Sequence, residues 1–350
     1  MRILHAADLH LGTPFRGHSD CDVAELKKQL LSIPAKLTEL CKAHHCQMML
    51  LAGDLFDGQP SADSVLALKN ALREATVPVF ISPGNHDFYN QNSPYFSESW
   101  PENVHIFTQS TMQSVAVPAL DCRVYGAGYH SMDCGPLLEN FRTEGSEAHH
   151  IGLLHSDPTQ ANTPYCPITQ AQVAASGLTY LALGHIHKAG SFTAGETLCA
   201  WPGCPMGRGY DETGEKGVYL VELGEKASLK FLPLHTLRFY DQDILVTDDP
   251  AVAVAAALPP VGNDHFYRFT LRGEVQSFDV SALSFPQFPH LQLRDHTTPP
   301  ADLWGCISED TLEGNFFRIL HDSLENDEEI ATLAAKISRK ILDGQEVVLP

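Results

Sequence analysis

Five times before residue 190, a short apolar run ends abruptly in a cluster of Asp, Asn and His. The clusters are Asp8-Leu9-His10, Gly53-Asp54-Leu55-Phe56-Asp57, Gly84-Asn85-His86-Asp87, His155-Ser156-Asp157 and Gly184-His185-Ile186-His187. The apolar runs predict strands at Arg2–Ala7, Gln47–Ala52, Pro78–Ser82, Arg123–Ala127, His150–His155 and Thr179–Gly184. Amphipathic helices fit between them at Val23–His44, Ala62–Glu74 and Thr169–Ser176. Strands alternating with helices predict an α/β layered core. In such sheets ligands bind at the carboxyl ends of the strands, so all five clusters are expected at one edge. Further β-rich runs at Thr197–Trp201, Gly217–Leu223 and Ser228–Leu234 are expected to complete the sheet structure of the same domain.

The residue types explain what such an edge would hold. A carboxylate and a histidine two apart in extended chain, Asp8 and His10, reach one ion. Asp54 has two oxygens and can bridge two ions. Asn85 adds a neutral oxygen, and His155, His185 and His187 add imidazole nitrogens. The set contains only nitrogen and oxygen, which favours Mn²⁺, Fe²⁺ or Zn²⁺, with Mn²⁺ the best match in ligand hardness and Mg²⁺ also compatible. Two ions roughly 3.5–4 Å apart clamp a phosphoryl group for in-line displacement, and a water acidified between them attacks. His86 is spare, which assigns it to protonating or stabilising the leaving group. Asp57, three residues after Asp54, is expected to orient His86.

Composition narrows the alternatives. The net charge of −20 repels phosphate backbones at long range, the reverse of what a self-sufficient nucleic-acid binder needs. Eighteen histidines qualify this, since bound cations reverse the local field. The nine cysteines (Cys21, Cys41, Cys46, Cys122, Cys134, Cys166, Cys199, Cys204 and Cys306) show no CxxC spacing and read as reduced thiols. With no basic-then-apolar leader and no apolar run long enough for a bilayer, the expected location is cytoplasmic, with no membrane partner.

Near Leu234–Asp243 the pattern changes. A helix at Asp249–Ala257, a strand at His265–Leu271 and the Pro-rich Phe285–Pro300 leading to Leu303–Ile307 read as a small α+β module. From Thr311 onward two amphipathic helices follow, with Leu312, Phe316, Ile319, Leu320 and Leu324 lining one face of the first helix and Ile330, Leu333, Ile337 and Ile341 lining the second helix. These faces dock either on their own chain or on a partner. The acidic Glu325–Glu329 reads as a helix start. The expected division is 1–236, 237–308 and 309–350.

The five clusters together resemble the calcineurin-like metallophosphoesterase superfamily. The opening HAADLHLGTPFRG, the GDLFDGQPS turn, and Trp201-Pro202-Gly203 leading into DETGEKGVYLVEL resemble its SbcD-type DNA repair nuclease branch, especially the shorter YhaO-like members. The resemblance is strong from Met1 to about Leu234 and fades beyond. It implies a β-sandwich flanked by helices, with a small capping module and C-terminal helices. It implies that Asp8, His10, Asp54 and His187 hold one ion and that Asp54, Asn85, His155 and His185 hold the other, with His86 as the catalytic histidine. It further implies a DNA exo- or endonuclease subunit, a capping segment around Arg268–Gly273, a coiled-coil SbcC-like ATPase partner and a homodimer. The rival readings are a small-molecule phosphoesterase acting on cyclic nucleotides or phosphomonoesters, and a scaffold that docks an ATPase.

Other residues invite attention. Adjacent His44-His45 and His149-His150 point apart and lack a partner carboxylate, so they are discounted as metal pairs, with His45 and His149 expected to face solvent. Arg16, Lys188, Arg208 and Tyr210 either touch phosphate or base, or are solvated loop residues. Tyr267, Arg268 and Arg272 form either a DNA-facing strand or a structural one.

Overall fold

The computed structural model describes residues 1–300, 302–325 and 327–344. The final six positions of the expected terminal segment, and Asn326 within the acidic run, lie outside these. The chain forms two compact units, one of Met1–Asp241 with Asn263–Tyr267, the other of Gln242–Gly262 with Arg268 onward.

In chain order the first unit contains β1 (Arg2–Ala6), α1 (Asp20–Ala43), β2 (Met48–Leu51), α2 (Ala62–Ala75), β3 (Val79–Ile81), α3 (Pro94–Ser97) and β4 (Val104–Ile106). There follow β5 (Gln113–Val117), β6 (Cys122–Gly126), β7 (His149–His155), α4 (Gln170–Ala175), β8 (Tyr180–Gly184), β9 (Gly190–Ala194), β10 (Thr197–Trp201), β11 (Gly217–Leu223) and β12 (Ala227–Pro233). The strands make two six-stranded sheets, ordered β12-β11-β1-β2-β3-β4 and β5-β6-β7-β8-β10-β9. In the first, β1 to β4 run parallel and β11 joins β1 antiparallel. In the second, β6, β7, β8 and β10 run parallel, with β5 and β9 antiparallel on the edges.

Alternation along each central strand explains the layers. Ile3, Met48, Leu50 and Phe80 from one sheet share a buried cluster with Val124, Ile151, Leu153, Tyr180 and Ala182 from the other. The intervening residues Leu4, Met49, Leu51 and Ile81 point to the opposite face, against Leu26, Leu30, Ile33 and Leu37 of α1 and Leu68 and Leu72 of α2. On the far side, Leu154, Leu181 and Leu183 pack with Val173 of α4. Strands buried on both faces read as continuous apolar runs, which is why these were visible in the sequence. The result is the mixed α/β fold expected, two sheets face to face with helices outside. His5 pins the sheets together, its Nδ1 2.7 Å from the Tyr180 hydroxyl and its Nε2 3.0 Å from the Leu183 carbonyl.

The chain continues through β13 (Phe239–Leu245), α5 (Pro250–Ala257), β14 (Phe266–Arg272), β15 (Leu291–Asp295), α6 (Leu312–Asp322) and α7 (Glu328–Leu342). The three strands form a sheet in the order β13-β14-β15. Asp327 caps α7 by accepting from the Ile330 amide, and Glu328 and Glu329 fill its first turn, matching the acidic helix start. The helix pair buries Phe317 and Ala335 with Leu303 and Cys306. Most of the apolar faces read from periodicity are not buried in this way: Leu312 is 90% exposed, Ile319 67% and Ile330 66%. Phe317, one position away from Phe316, carries the packing instead.

These burials set expected stabilities. Truncating Leu153 to Ala removes a side chain filled from both sheets and should cost about 2–5 kcal/mol in urea unfolding. Ile319→Ala, at a solvent-facing position, should stay within about 0.5 kcal/mol. Equal effects would contradict the assignment of the core.

Candidate metal centre

The five clusters meet where the parallel strands end. Asp8 and His10 follow β1, Asp54 follows β2, Asn85 and His86 follow β3, His155 ends β7, and His185 and His187 follow β8. Three loops therefore come from one sheet and two from the other, so the site lies across the carboxyl edge of both. The first two loops are zipped by backbone bonds from the Asp8 amide to the Gly53 carbonyl (3.0 Å) and from the His10 amide to the Asp54 carbonyl (2.9 Å).

The backbone is bent hard to achieve this. Asp8, His10, Asp54 and His185 have φ of 54°, 47°, 49° and 95°. Left-handed conformations in non-glycine residues cost about 1–3 kcal/mol each and persist where the surroundings over-determine them, commonly at functional sites. Gly53 takes φ 83°, as expected of a glycine that turns a strand into a loop. Gly84 and Gly184 serve a different purpose, close approach. A Cβ on Gly84 would fall 2.2 Å from Asp54 Oδ1, and one on Gly184 would fall 2.9 Å from His155 Nδ1.

All nine residues expected at the site come together. Asp54 Oδ2 lies 3.3 Å from His155 Nε2 and 3.8 Å from His10 Nε2, while Oδ1 accepts from the His86 amide at 2.8 Å. His10 Nε2 faces His187 Nε2 at 3.2 Å. Asn85 Oδ1 is 3.0 Å from His155 Nε2 and 3.3 Å from His185 Nδ1. Potential ligand atoms of Asp8, His10 and His187 lie within 4.8 Å of one another, as do those of Asp8, Asp54 and His155. His86, its side chain 41% exposed, stands at the rim with Nδ1 3.0 Å from Asp57 Oδ1.

Three residues in the site carried no assigned role in the sequence. Asp87 is the knot of two loops: its carboxylate accepts from the amides of Gly84, Asp54, Leu55 and Phe56 and from the Tyr95 hydroxyl, at 2.6–3.2 Å. It stood in the GNHD cluster, but nothing local says that its side chain turns inward. Glu212 holds His187 Nδ1 at 2.6 Å. The Tyr165 ring packs against His185 at a 39° tilt, ring centroids 4.6 Å apart.

Arg208 does more than sit in a solvated loop, since its guanidinium grips both oxygens of Glu212 at 2.7 and 3.2 Å. Arg16 and Lys188 are exposed, and Tyr210 packs on Phe239. Tyr267 is buried and stacks on Tyr240, so it does not face outward as a base platform; Arg272 is paired with Asp243. His45 is exposed as expected, whereas His149 is half-buried on β7 because it begins an interior strand.

Burial governs the protonation states. It pushes the Asp8 carboxyl up to about 6 and pulls His10 and His185 down to about 3 and 4, leaving those imidazoles neutral at pH 7. Burial also opposes charge on Asp54 and His155, but their mutual attraction prevails. It holds Asp54 below the usual carboxylate range and raises His155 to about 10. The arrangement suits divalent cations: buried carboxylates and neutral imidazoles converge with few donors between them, and two ring nitrogens face each other at hydrogen-bond distance. His155 would release its proton to bind one. The converging donors are nitrogen and oxygen only, which fits hard to borderline ions.

Residues 1–189 match the calcineurin-like phosphoesterase family, more than half of the chain, and the protein belongs to that family. Its members are metal-dependent phosphoester hydrolases that typically bind two divalent ions. The chain is similar to YhaO, an uncharacterized metallophosphoesterase of Bacillus subtilis, with 34% identity over 236 residues, 64% of this chain and 57% of YhaO. It is also similar to SbcD, a component of the nuclease SbcCD from the same organism, with 27% identity over 281 residues, 65% of this chain and 68% of that one. The chain thus spans little more than half the length of YhaO. A dimetal phosphatase from Danio rerio aligns in structure with a TM-score of 0.45 and 14% identity, over 66% of this chain and 95% of that one.

The Asp57 contact, opposed by partial burial, raises the His86 pKa above its usual 6.5. The sign follows: stability from this pair is fully present below pH 6.5 and is lost as pH rises through the higher folded value. In a proton NMR titration of the imidazole, Asp57→Asn should lower the His86 pKa. An unchanged value would show that Asp57 does not hold that ring.

Proposed function

We propose that the centre takes two divalent cations, one held by Asp8, His10, Asp54 and His187 and the other by Asp54, Asn85, His155 and His185. The observation that carries this reading is the position of Asp54 Oδ2, between His155 on one side and His10 on the other. Mn²⁺ is the preferred ion on ligand hardness. When bound, the pair supplies an acidified water and neutralises charge on the phosphoryl oxygens. His86, oriented through Nδ1 by Asp57, keeps Nε2 free at the rim to donate a proton to the leaving oxygen. Asp87 keeps the Asp54 and Asn85 loops in register.

We propose DNA as the substrate, with the chain acting as an exo- or endonuclease subunit in DNA repair. The likeness to SbcD and the chain beyond residue 236 support this. In this reading 1–236 is the nuclease domain, 237–308 a capping module and 309–350 the helices that meet an SbcC-like coiled-coil ATPase, in a homodimeric complex. The nine unpaired thiols and the absence, among the described residues, of any helix long and apolar enough to cross a membrane support a cytoplasmic setting. The second reading, a cyclic-nucleotide or phosphomonoester hydrolase, is favoured by the net charge of −20.

Mn²⁺-dependent release of nucleotides from linear duplex and single strands, measured beside turnover of cyclic nucleotides and p-nitrophenyl phosphate, separates the two. His86→Ala should lower kcat on the true substrate about 10²–10⁴-fold while Mn²⁺ stays bound. Intact DNA alongside efficient cyclic-nucleotide cleavage would replace the first reading with the second.

A further inference from the structure

We propose that Glu212 is the positioning residue that fixes His187 as an Nε2 ligand, and that Arg208 holds Glu212 in place. This rests on the two-ion reading above and adds to it a residue outside the five loops.

His187 is the last of the predicted ligands and is partly exposed, so packing alone does not set its ring. Its Nδ1 is 2.6 Å from Glu212 Oε1, while its Nε2 points to His10 Nε2 at 3.2 Å. An imidazole can give its proton to one side and its lone pair to the other, and the outer partner decides which. Arg208 Nη2 also lies 3.0 Å from Nδ1, which offers a rival arrangement, a lone pair on Nδ1 and the proton on Nε2. The short contact to Glu212 excludes it. A carboxylate and a nitrogen lone pair at 2.6 Å repel unless a proton lies between them. The guanidinium meanwhile has better acceptors, the two Glu212 oxygens at 2.7 and 3.2 Å. The proton therefore sits on Nδ1, and the Nε2 lone pair faces Asp8 and His10.

Glu212, His187 and Cys204 could also be read as a separate cation site, since one atom of each lies within 4.8 Å of the others. Arg208 argues against that, because its side chain and its own amide, at 2.9 Å from Oε2, already take up the carboxylate. His155 and His10 lack this support. His155 Nδ1 meets the Ala52 carbonyl at 2.8 Å, and His10 Nδ1 has no hydrogen-bond partner among the described residues. One ion should therefore depend on Glu212 and the other should not.

Calorimetric titration of Mn²⁺ into chelator-stripped full-length protein tests this, with Glu212→Ala, Glu212→Gln and wild type compared. Glu212→Ala should weaken one of two binding events about 10–100-fold and leave the other unchanged. Glu212→Gln, which keeps an acceptor, should recover part of the loss. ¹⁵N shifts of the His187 ring in metal-free wild type, assigned with His187→Gln, should report the proton on Nδ1, and this holds even if a variant fails to fold. Two unchanged binding events in Glu212→Ala, or a proton on Nε2, would overturn the proposal. A wild type that takes up fewer than two ions would instead overturn the two-ion reading itself.

Discussion

One carboxylate, Asp54, stands where two groups of imidazoles from two sheets meet. Its Oδ2 faces His155 and His10, and its Oδ1 is tied to the amide of His86. Unless cations or protons compensate, so dense a gathering of buried acceptors and neutral imidazoles is electrostatically costly. Much of the surrounding structure reads as the scaffold that makes this gathering hold. The sandwich brings two sets of parallel strands to a common edge, and His5 locks the sheets behind it.

The scaffold works by using up conformational freedom near the site. Three glycines crowd against His155 and Asp54, leaving no space for a Cβ. Asp8, His10, Asp54 and His185 adopt left-handed backbone. The counterweight is Asp87, whose carboxylate gathers four amides and a tyrosine hydroxyl from separate turns. Hydrogen bonds to a carboxylate are among the stronger ones a protein makes. Burial nevertheless pushes the Asp87 carboxyl up to about 6. By linkage its contribution to stability is therefore present below the ordinary carboxylate range and is lost as pH rises through that value.

The central strands and the side chains that converge at their ends were legible in the sequence because buried parallel strands are continuous apolar runs and the Asp, Asn and His clusters directly follow them. The strands missed were β4, β5, β9, β13 and β15. All five lie at sheet edges, and apart from Ala194 in β9 and Phe239 in β13 their residues are half-buried or exposed, so their apolar signal is weak. The same logic limited the site. His86 and Asp57 are near in sequence to ligands, so their pairing was foreseeable. Glu212 lies 25 positions from His187 in a Gly-rich turn, and only the fold brings them together. The helix faces from Thr311 onward show the opposite error. Helical periodicity identified an apolar stripe, but the buried residues Phe317, Ala331 and Ala335 lie on a neighbouring face.

The central claim is that two cations share Asp54. Anomalous diffraction at the manganese edge, from crystals grown with Mn²⁺, measures it directly. The account predicts two peaks about 3.5–4 Å apart, both within coordinating distance of Asp54 and one on each side of it. A single peak, or ordered side chains at Asp8, Asp54, His155 and His187 with no peak among them, would contradict it.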